Sequence, residues 1–252
     1  MKKDFVTINA KTINKWVKEG WLWGIPVDHE TYQKAKDGQW EVVLTPTKPV
    51  PKDWFLPFEN AKILGLASGG GQQMPIFSAL KAKCTVMDIS DEQLESEKKV
   101  SQREGYEIEI VKADMTKRFP FDDETFDLIF HPVSNCYIKD VSHVFKECAR
   151  VLKKGGYLLS GLDNGLNFII DEERDFKIVD HFPFDPLIHD DQYEYLMKTD
   201  SGMQFSHTLE DQIGAQLKAG FELLDIYEDT NGEGKLHNLN IPCYFATKSR
   251  KK

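Results

Sequence analysis

Four stretches of the chain carry residue types and spacings able to do chemistry. The first is KILGLASGGGQQ at 62–73, an apolar run that stops in three consecutive glycines and two glutamines. Bare backbone at Gly69, Gly70 and Gly71 lets the main chain approach a ligand closely and permits positive φ. The same bareness also serves a tight turn that lets a helix pack on a strand. The second is Asp88, closing the run CTVMD. A carboxylate there can accept both hydroxyls of a ribose, or it can assist the helix cap at Ser90. The third is Ala113-Asp114-Met115, where a carboxylate can accept an adenine amino group. The fourth is His131-Pro132-Val133-Ser134-Asn135. His131 is placed to act as a general base or to be hydrogen-bonded at a strand end. Ser134 and Asn135 can orient a substrate or cap the following helix.

The elements that must position these residues alternate in period from Lys62 onward, as parallel β-α-β units do. KILGLA is the first strand, and a helix with Met74, Ile76, Phe77 and Leu80 on its apolar side follows. CTVMDIS is the second strand, and SDEQLESEKKV is a helix with Ser90 as cap and Gln93 as capping-box partner. YEIEIVKAD is the third strand. FDLIFHPV, apolar throughout, is a fourth strand buried on both faces. VSHVFKECARVLKKGG reads as a helix ending with Lys153 and Lys154 at its negative pole and Gly155 as C-cap. YLLSGL is the fifth strand. HTLEDQIGAQLKAGF is a helix opening at Thr208, with Asp211 as box partner, and closing at Gly220. FELLDIYED and IPCYFATKS form a last, antiparallel pair. In such a sheet ligands bind beyond the carboxyl ends of the strands. The glycines, Asp88 and Asp114 stand at three successive ends, which favours an adenosine-containing ligand. The alternation Ala67, Gly69, Gly71 departs from G-x-G-x-x-G and so disfavours a nicotinamide dinucleotide.

Two segments lie outside this alternation. Residues 1–58 hold all five tryptophans and the run TPTKPVPKDW, and are expected to form an aromatic cap across the sheet. Residues 165–208 are longer than a compact connection and are expected to form a lid over a substrate. Within them His181, Asp185, His189, Asp190 and Asp191 match no metal-ligand spacing, and no metal is expected. A chain of 252 residues, 40% hydrophobic, suffices for one domain with these additions. Its net charge of −9 disfavours bulk nucleic acid as a partner. Four scattered cysteines, no signal-peptide core and no membrane-length apolar run point to a soluble, cytoplasmic protein. Oligomeric state is left open.

GLASGGGQQ, VMDIS, KADMT, FPFDDETFDLIFHPVSN and ECARVLKKGGYLL resemble, in order over residues 60–160, the motifs of class I S-adenosylmethionine-dependent methyltransferases of the type 11 group. SGGGQQ, HPVSNCYIKDV and HTLEDQIGAQLKAGF are similar to an uncharacterised bacterial branch of it. The resemblance implies a Rossmann-like seven-stranded sheet, mostly parallel with an antiparallel C-terminal strand and helices on both faces. It implies S-adenosyl-L-methionine as cofactor and S-adenosyl-L-homocysteine as product. The methionine moiety would lie against Ala67, Ser68 and Gly69 to Gly71, the ribose at Asp88, Ile89 and Ser90, and the adenine at Ala113, Asp114 and Met115. His131 would border both cofactor and acceptor. Two departures stand out: Gly65 replaces the usual acidic residue and Ala67 the usual first glycine, with Gln72 and Gln73 available as substitutes. The expected activity is in-line methyl transfer to a small molecule. The other reading is a non-catalytic cofactor-binding protein, a sensor or partner subunit.

Overall fold

The computed structural model describes residues 4–171 and 176–252. Among these, nine strands occur in chain order: β1 (Lys62–Leu66), β2 (Lys83–Asp88), β3 (Glu109–Lys112), β4 (Phe126–His131), β5 (Leu152–Asp163), β6 (Ile170–Asp171), β7 (Lys177–Ile178), β8 (Phe221–Asp229) and β9 (Tyr244–Lys251). Seven form one sheet in the order β3-β2-β1-β4-β5-β9-β8, while β6 and β7 make a separate hairpin. Strands β1 to β5 are parallel, and β9 runs antiparallel to both of its neighbours. The sheet expected from the sequence is therefore present, and its strand order reverses between β1 and β4, where α/β sheets bind ligands.

Strand periodicity builds the core. Successive side chains point to opposite faces, so an apolar run can serve two helical layers at once. Leu64, Ile129, Leu158 and Leu162 go to one face, packed with Val144 and Phe145 of α5 (Val141–Val151). Ile63, Leu128, Phe130 and Leu159 go to the other, packed with Phe77 of α3 (Gln73–Ala79) and with Val42, Leu44 and Trp54 from the N-terminal segment. That segment carries α1 (Phe5–Lys18) and α2 (His29–Lys36). Its backbone crosses the strand ends so closely that Leu44 O accepts from Val133 N at 3.1 Å. A Cβ on Gly161 would lie 2.0 Å from the same Leu44 oxygen, so this crossing requires a glycine in β5.

Several local expectations change. The helix read over 141–156 ends at Val151. Leu152 already pairs with Phe126, Lys153 binds Asp127 at 2.6 Å, and Gly155 turns at φ 77° before Tyr157 resumes the ladder opposite Leu128. Strand pairing thus overrides the basic-residue and glycine stop signals. β2 stops at Asp88 and β3 is confined to 109–112. At α4 (Asp91–Glu104) Ser90 Oγ accepts from Gln93 N, but Ser90 N donates to Asp88, not to the Gln93 side chain, so the capping box is half made. Thr208 and Asp211 do form a reciprocal box, although a π-helical turn at 210–214 precedes α8 (Ala215–Lys218).

Between β5 and that turn lie α6 (Leu166–Ile169), the β6–β7 hairpin and α7 (Asp190–Lys198). Asn9 of α1 ties this segment down, donating to Met203 O and accepting from Met203 N. His181 and His189 stack on each other at 4.5 Å. A short α9 (Gly234–Asn238) sits inside the β8–β9 connection. All four cysteines are buried and none is in a disulfide, and among the described residues no helix is long and apolar enough to cross a membrane.

Candidate functional site

A cavity of about 760 Å³ lies at the carboxyl ends of β1 to β5. It is bordered by the N-terminal segment on one side and by the 165–208 segment on the other. Of the residues singled out in the sequence, Ala67, Ser68, Gly69, Gln72, Gln73, Asp88, Ile89, Ala113, Asp114, Met115 and Ser134 line it. Gly70, Gly71, Ser90, His131 and Asn135 do not.

The glycine loop makes a tight turn and also borders the cavity. Gly69 faces the cavity, and a Cβ there would meet Gln93 Cβ at 2.7 Å and Asp88 Oδ2 at 3.0 Å. Gly70 and Gly71 adopt φ of 92° and 70° and are covered by Trp23, Pro26 and α4. All three loop amides are satisfied from β2 and α4. Gly69 N donates to Asp88 Oδ2 at 3.1 Å, Gly70 N to Gln93 O at 2.9 Å and Gly71 N to Glu97 Oε2 at 3.1 Å. The loop is held in shape by the protein itself.

Gly65 explains the missing acid of this loop. A Cβ there would sit 2.8 Å from Met74 Sδ, and Met74 is fully buried, so thioether occupies the place a carboxylate would need. The carboxylates that hold the loop come instead from Asp88 and Glu97. Gln72 donates its amide to Leu22 O and Ile25 O, binding the N-terminal segment to the loop. Gln73 is buried and accepts from Ser68 Oγ at 2.9 Å. Burial pushes the Asp88 carboxyl up, opposed by the N–H groups of Ser90, Gly69 and Ile89. Burial likewise raises Glu97 to about 7.

His131 belongs to the wall rather than to the cavity. It is fully buried, Nδ1 donates to Leu66 O at 3.0 Å, and Nε2 lies 2.8 Å from the Asn135 side-chain amide. The Asn135 NH₂ group has no other partner, and with the amide turned over it donates to a neutral ring. Burial depresses the imidazole, which keeps it neutral. The hydrogen-bonded alternative raised from the sequence is the one this geometry matches, and Ser134 alone of the three reaches the cavity, its Oγ donating to Pro132 O.

Sequence reasoning missed two participants, Gln93 and Asp163, and did not separate the tryptophans that reach the cavity from those in the core. Gln93, read only as a cap partner, lines the cavity with Oε1 unpartnered. Trp21 and Trp23 line it as well, whereas Trp54 is core and Trp40 packs edge-on to Phe55 and Phe58. Asp163, the last residue of β5, is 3% exposed and lines the cavity beside Cys136 and Tyr244. Its signal was available: a carboxylate directly after the apolar run YLLSGL occupies the same strand-end position as Asp88 in β2.

The residues fit an adenosyl cofactor. Two carboxylates, Asp88 and Asp114, stand at adjacent strand ends, and the buried Gln93 Oε1 lacks a donor from the protein. Comparisons agree. Residues 64–160 match the family model described as a methyltransferase domain. The chain is 39% identical, over 98% of both chains, to the uncharacterized methyltransferase YbaJ of Bacillus subtilis. It is 26% identical over 70% of its own length and 72% of the relative to an Idiomarina loihiensis ubiquinone/menaquinone biosynthesis C-methyltransferase, UbiE. A crystal structure of an S-adenosylmethionine-dependent methyltransferase from Mesorhizobium loti superposes with TM-score 0.61 at 15% identity, covering 79% of this chain and 95% of that one, which shows the shared fold. The sheet order, the preformed glycine loop and near full-length identity to a methyltransferase place the chain in the class I S-adenosylmethionine-dependent methyltransferase family, type 11 group.

Proposed function

We propose that this methyltransferase acts on a small organic acceptor enclosed between the strand ends and the two segments that border them. The observation carrying this reading is the single continuous cavity, about 760 Å³, within the size range of small-ligand sites and bordered at both ends. In this reading Asp88 accepts the ribose hydroxyls, Asp114 with Met115 flanks the adenine, and Ala67, Ser68 and Gly69 lie along the methionine moiety. Bound S-adenosylmethionine supplies an electrophilic methyl group. The protein's work is alignment and exclusion of water, since in-line displacement gains most from fixed geometry. Residues 1–58 serve as a cap: Gln72 clamps them to the glycine loop and Trp21 and Trp23 roof the cavity. Residues 165–208 serve as a lid, contributing Phe168, Phe184 and Tyr195 to the wall. One relative is named for ubiquinone and menaquinone biosynthesis, and quinones are small molecules, which supports the size class.

The deciding experiment is isothermal titration with S-adenosylhomocysteine, followed by turnover with labelled cofactor against amines, phenols, thiols and quinols. Micromolar product binding with methylation of any member supports the reading. Binding without methylation of any acceptor returns the sensor reading, and absence of binding by folded protein removes the site.

A further inference from the structure

The acceptor end of the cavity has a chemistry of its own. Among the described residues, five aspartates line the cavity, Asp88, Asp114, Asp163, Asp171 and Asp180, and no lysine, arginine or histidine does. Two of the five belong to the adenosine end. Of the other three, Asp163 is the most deeply placed. Its Oδ1 accepts from Gly165 N at 3.0 Å, while its Oδ2 is buried with no hydrogen-bond partner. A buried carboxylate oxygen left without a donor is costly unless something brings one. The surrounding wall is aromatic: Tyr137, Phe168, Phe184 and Tyr244 border the same end, and ring faces attract a cation.

Resting on the methyltransferase reading, we infer that the acceptor is an organic amine, and that Asp163 Oδ2 receives its N–H and takes the proton the nitrogen must lose. A carboxylate or phosphate acceptor would meet, among the described residues of the wall, negative groups and no positive one. An ammonium ion meets both the unpartnered oxygen and the ring faces. Removed from water, a carboxylate and an ammonium gain by sharing the proton as a neutral pair, because both charged forms are penalised by burial. Burial already raises Asp163 to about 7, with the Gly165 N–H opposing. The Cys136 thiol and the Tyr244 phenol that face it are also pushed up by burial and stay neutral at pH 7. Among the described residues, Asp171, Asp180, Tyr137 and Tyr195 are the other ionisable groups on the wall outside the adenosine end. The step balances. The acceptor R–NH₃⁺ gives one proton to Asp163, and its freed lone pair forms the N–CH₃ bond. The methyl–sulfur bond breaks with its electron pair left on sulfur. The products are an N-methylammonium ion and a thioether, and the proton on Asp163 passes to solvent.

The test uses the full chain saturated with S-adenosylhomocysteine and three probes of one shape: 2-phenylethylamine, its neutral alcohol 2-phenylethanol and its anionic counterpart 3-phenylpropanoate. Calorimetry is expected to find the amine bound about tenfold or more tightly than the alcohol, the scale of one charge-assisted hydrogen bond, with the anion weakest. Asp163→Asn is expected to erase the amine's advantage while leaving the affinity for S-adenosylhomocysteine in place and the melting temperature no lower, since the amide removes a carboxyl that burial disfavours. Should that variant not fold, the parent chain decides: amine binding at pH 7, titrated in buffers of different ionisation enthalpy, is expected to release about half a proton, because the ammonium brings one, Asp163 already holds about half of one, and the bound pair keeps only one. Equal affinity for amine and alcohol, preference for the anion, no amine binding, an advantage that survives Asp163→Asn, or no linked proton each overturns the inference. Failure to bind S-adenosylhomocysteine is a separate result and strikes the proposed function instead.

Discussion

Replacing Glu97 by glutamine is expected to make this protein more stable at pH 8 and to leave it unchanged near pH 4.5. Glu97 is fully buried beneath the glycine loop, accepting from Gly71 N at 3.1 Å and from Tyr106 Oη at 3.0 Å. Neither donor is charged, and burial dominates, raising its carboxyl from 4.5 to about 7. The unfolded chain releases this proton near 4.5, whereas the folded chain keeps it to about 7. Between those values the native state binds more protons, so stability is lost as pH rises through the window. At about 1.4 kcal/mol per unit the loss amounts to about 3 kcal/mol. Glutamine can keep an acceptor for Gly71 N and turn its NH₂ toward the Tyr106 oxygen, but it has no proton to lose. Urea unfolding of both proteins from pH 4.5 to 8 should therefore show a difference growing from near zero to about 3 kcal/mol in favour of Glu97→Gln. The buried Asp163 titrates in both proteins and cancels. A difference that stays flat with pH, or a variant less stable at pH 8, would refute the placement of an ionisable carboxyl under the loop.

Two further substitutions probe the site and its cover. Asp88→Ala orphans the N–H groups of Gly69 and Ser90 and removes the proposed ribose acceptor. Calorimetry should show S-adenosylhomocysteine bound about 1.5–3 kcal/mol more weakly, and unchanged affinity would remove Asp88 from the ribose site. Gly161→Ala sets a methyl 2.0 Å from Leu44 O and 3.0 Å from Val133 N, both rigid backbone. It should cost about 2–3 kcal/mol in urea unfolding and speed proteolysis within residues 42–50, while full stability would mean that the crossing is not fixed.

Much of the fold and part of the site were legible in the chain itself. Apolar runs such as FDLIF, broken by glycines and caps, determine parallel strands between helices, because a strand buried on both faces needs apolar residues at every position. Motif order identifies the cofactor family, since Asp88, Asp114 and the glycines fall at strand ends by local pattern alone. What the sequence could not decide depends on contacts between distant segments. The ladder with β4 drew Lys153–Gly156 into β5, because backbone pairing there outweighs a local helix-stop pattern. Gly65 is a glycine because Met74 lies against it, and Gly161 because Leu44 crosses it. His131 sits in the wall because Leu66 O and Asn135 take both ring nitrogens. Gln93, Trp23 and Asp163 reach the cavity only once α4, the N-terminal segment and β5 meet around it. Spacing along a chain reports local geometry. Which buried group keeps a free lone pair is set by everything that packs around it, and that is a property of tertiary structure.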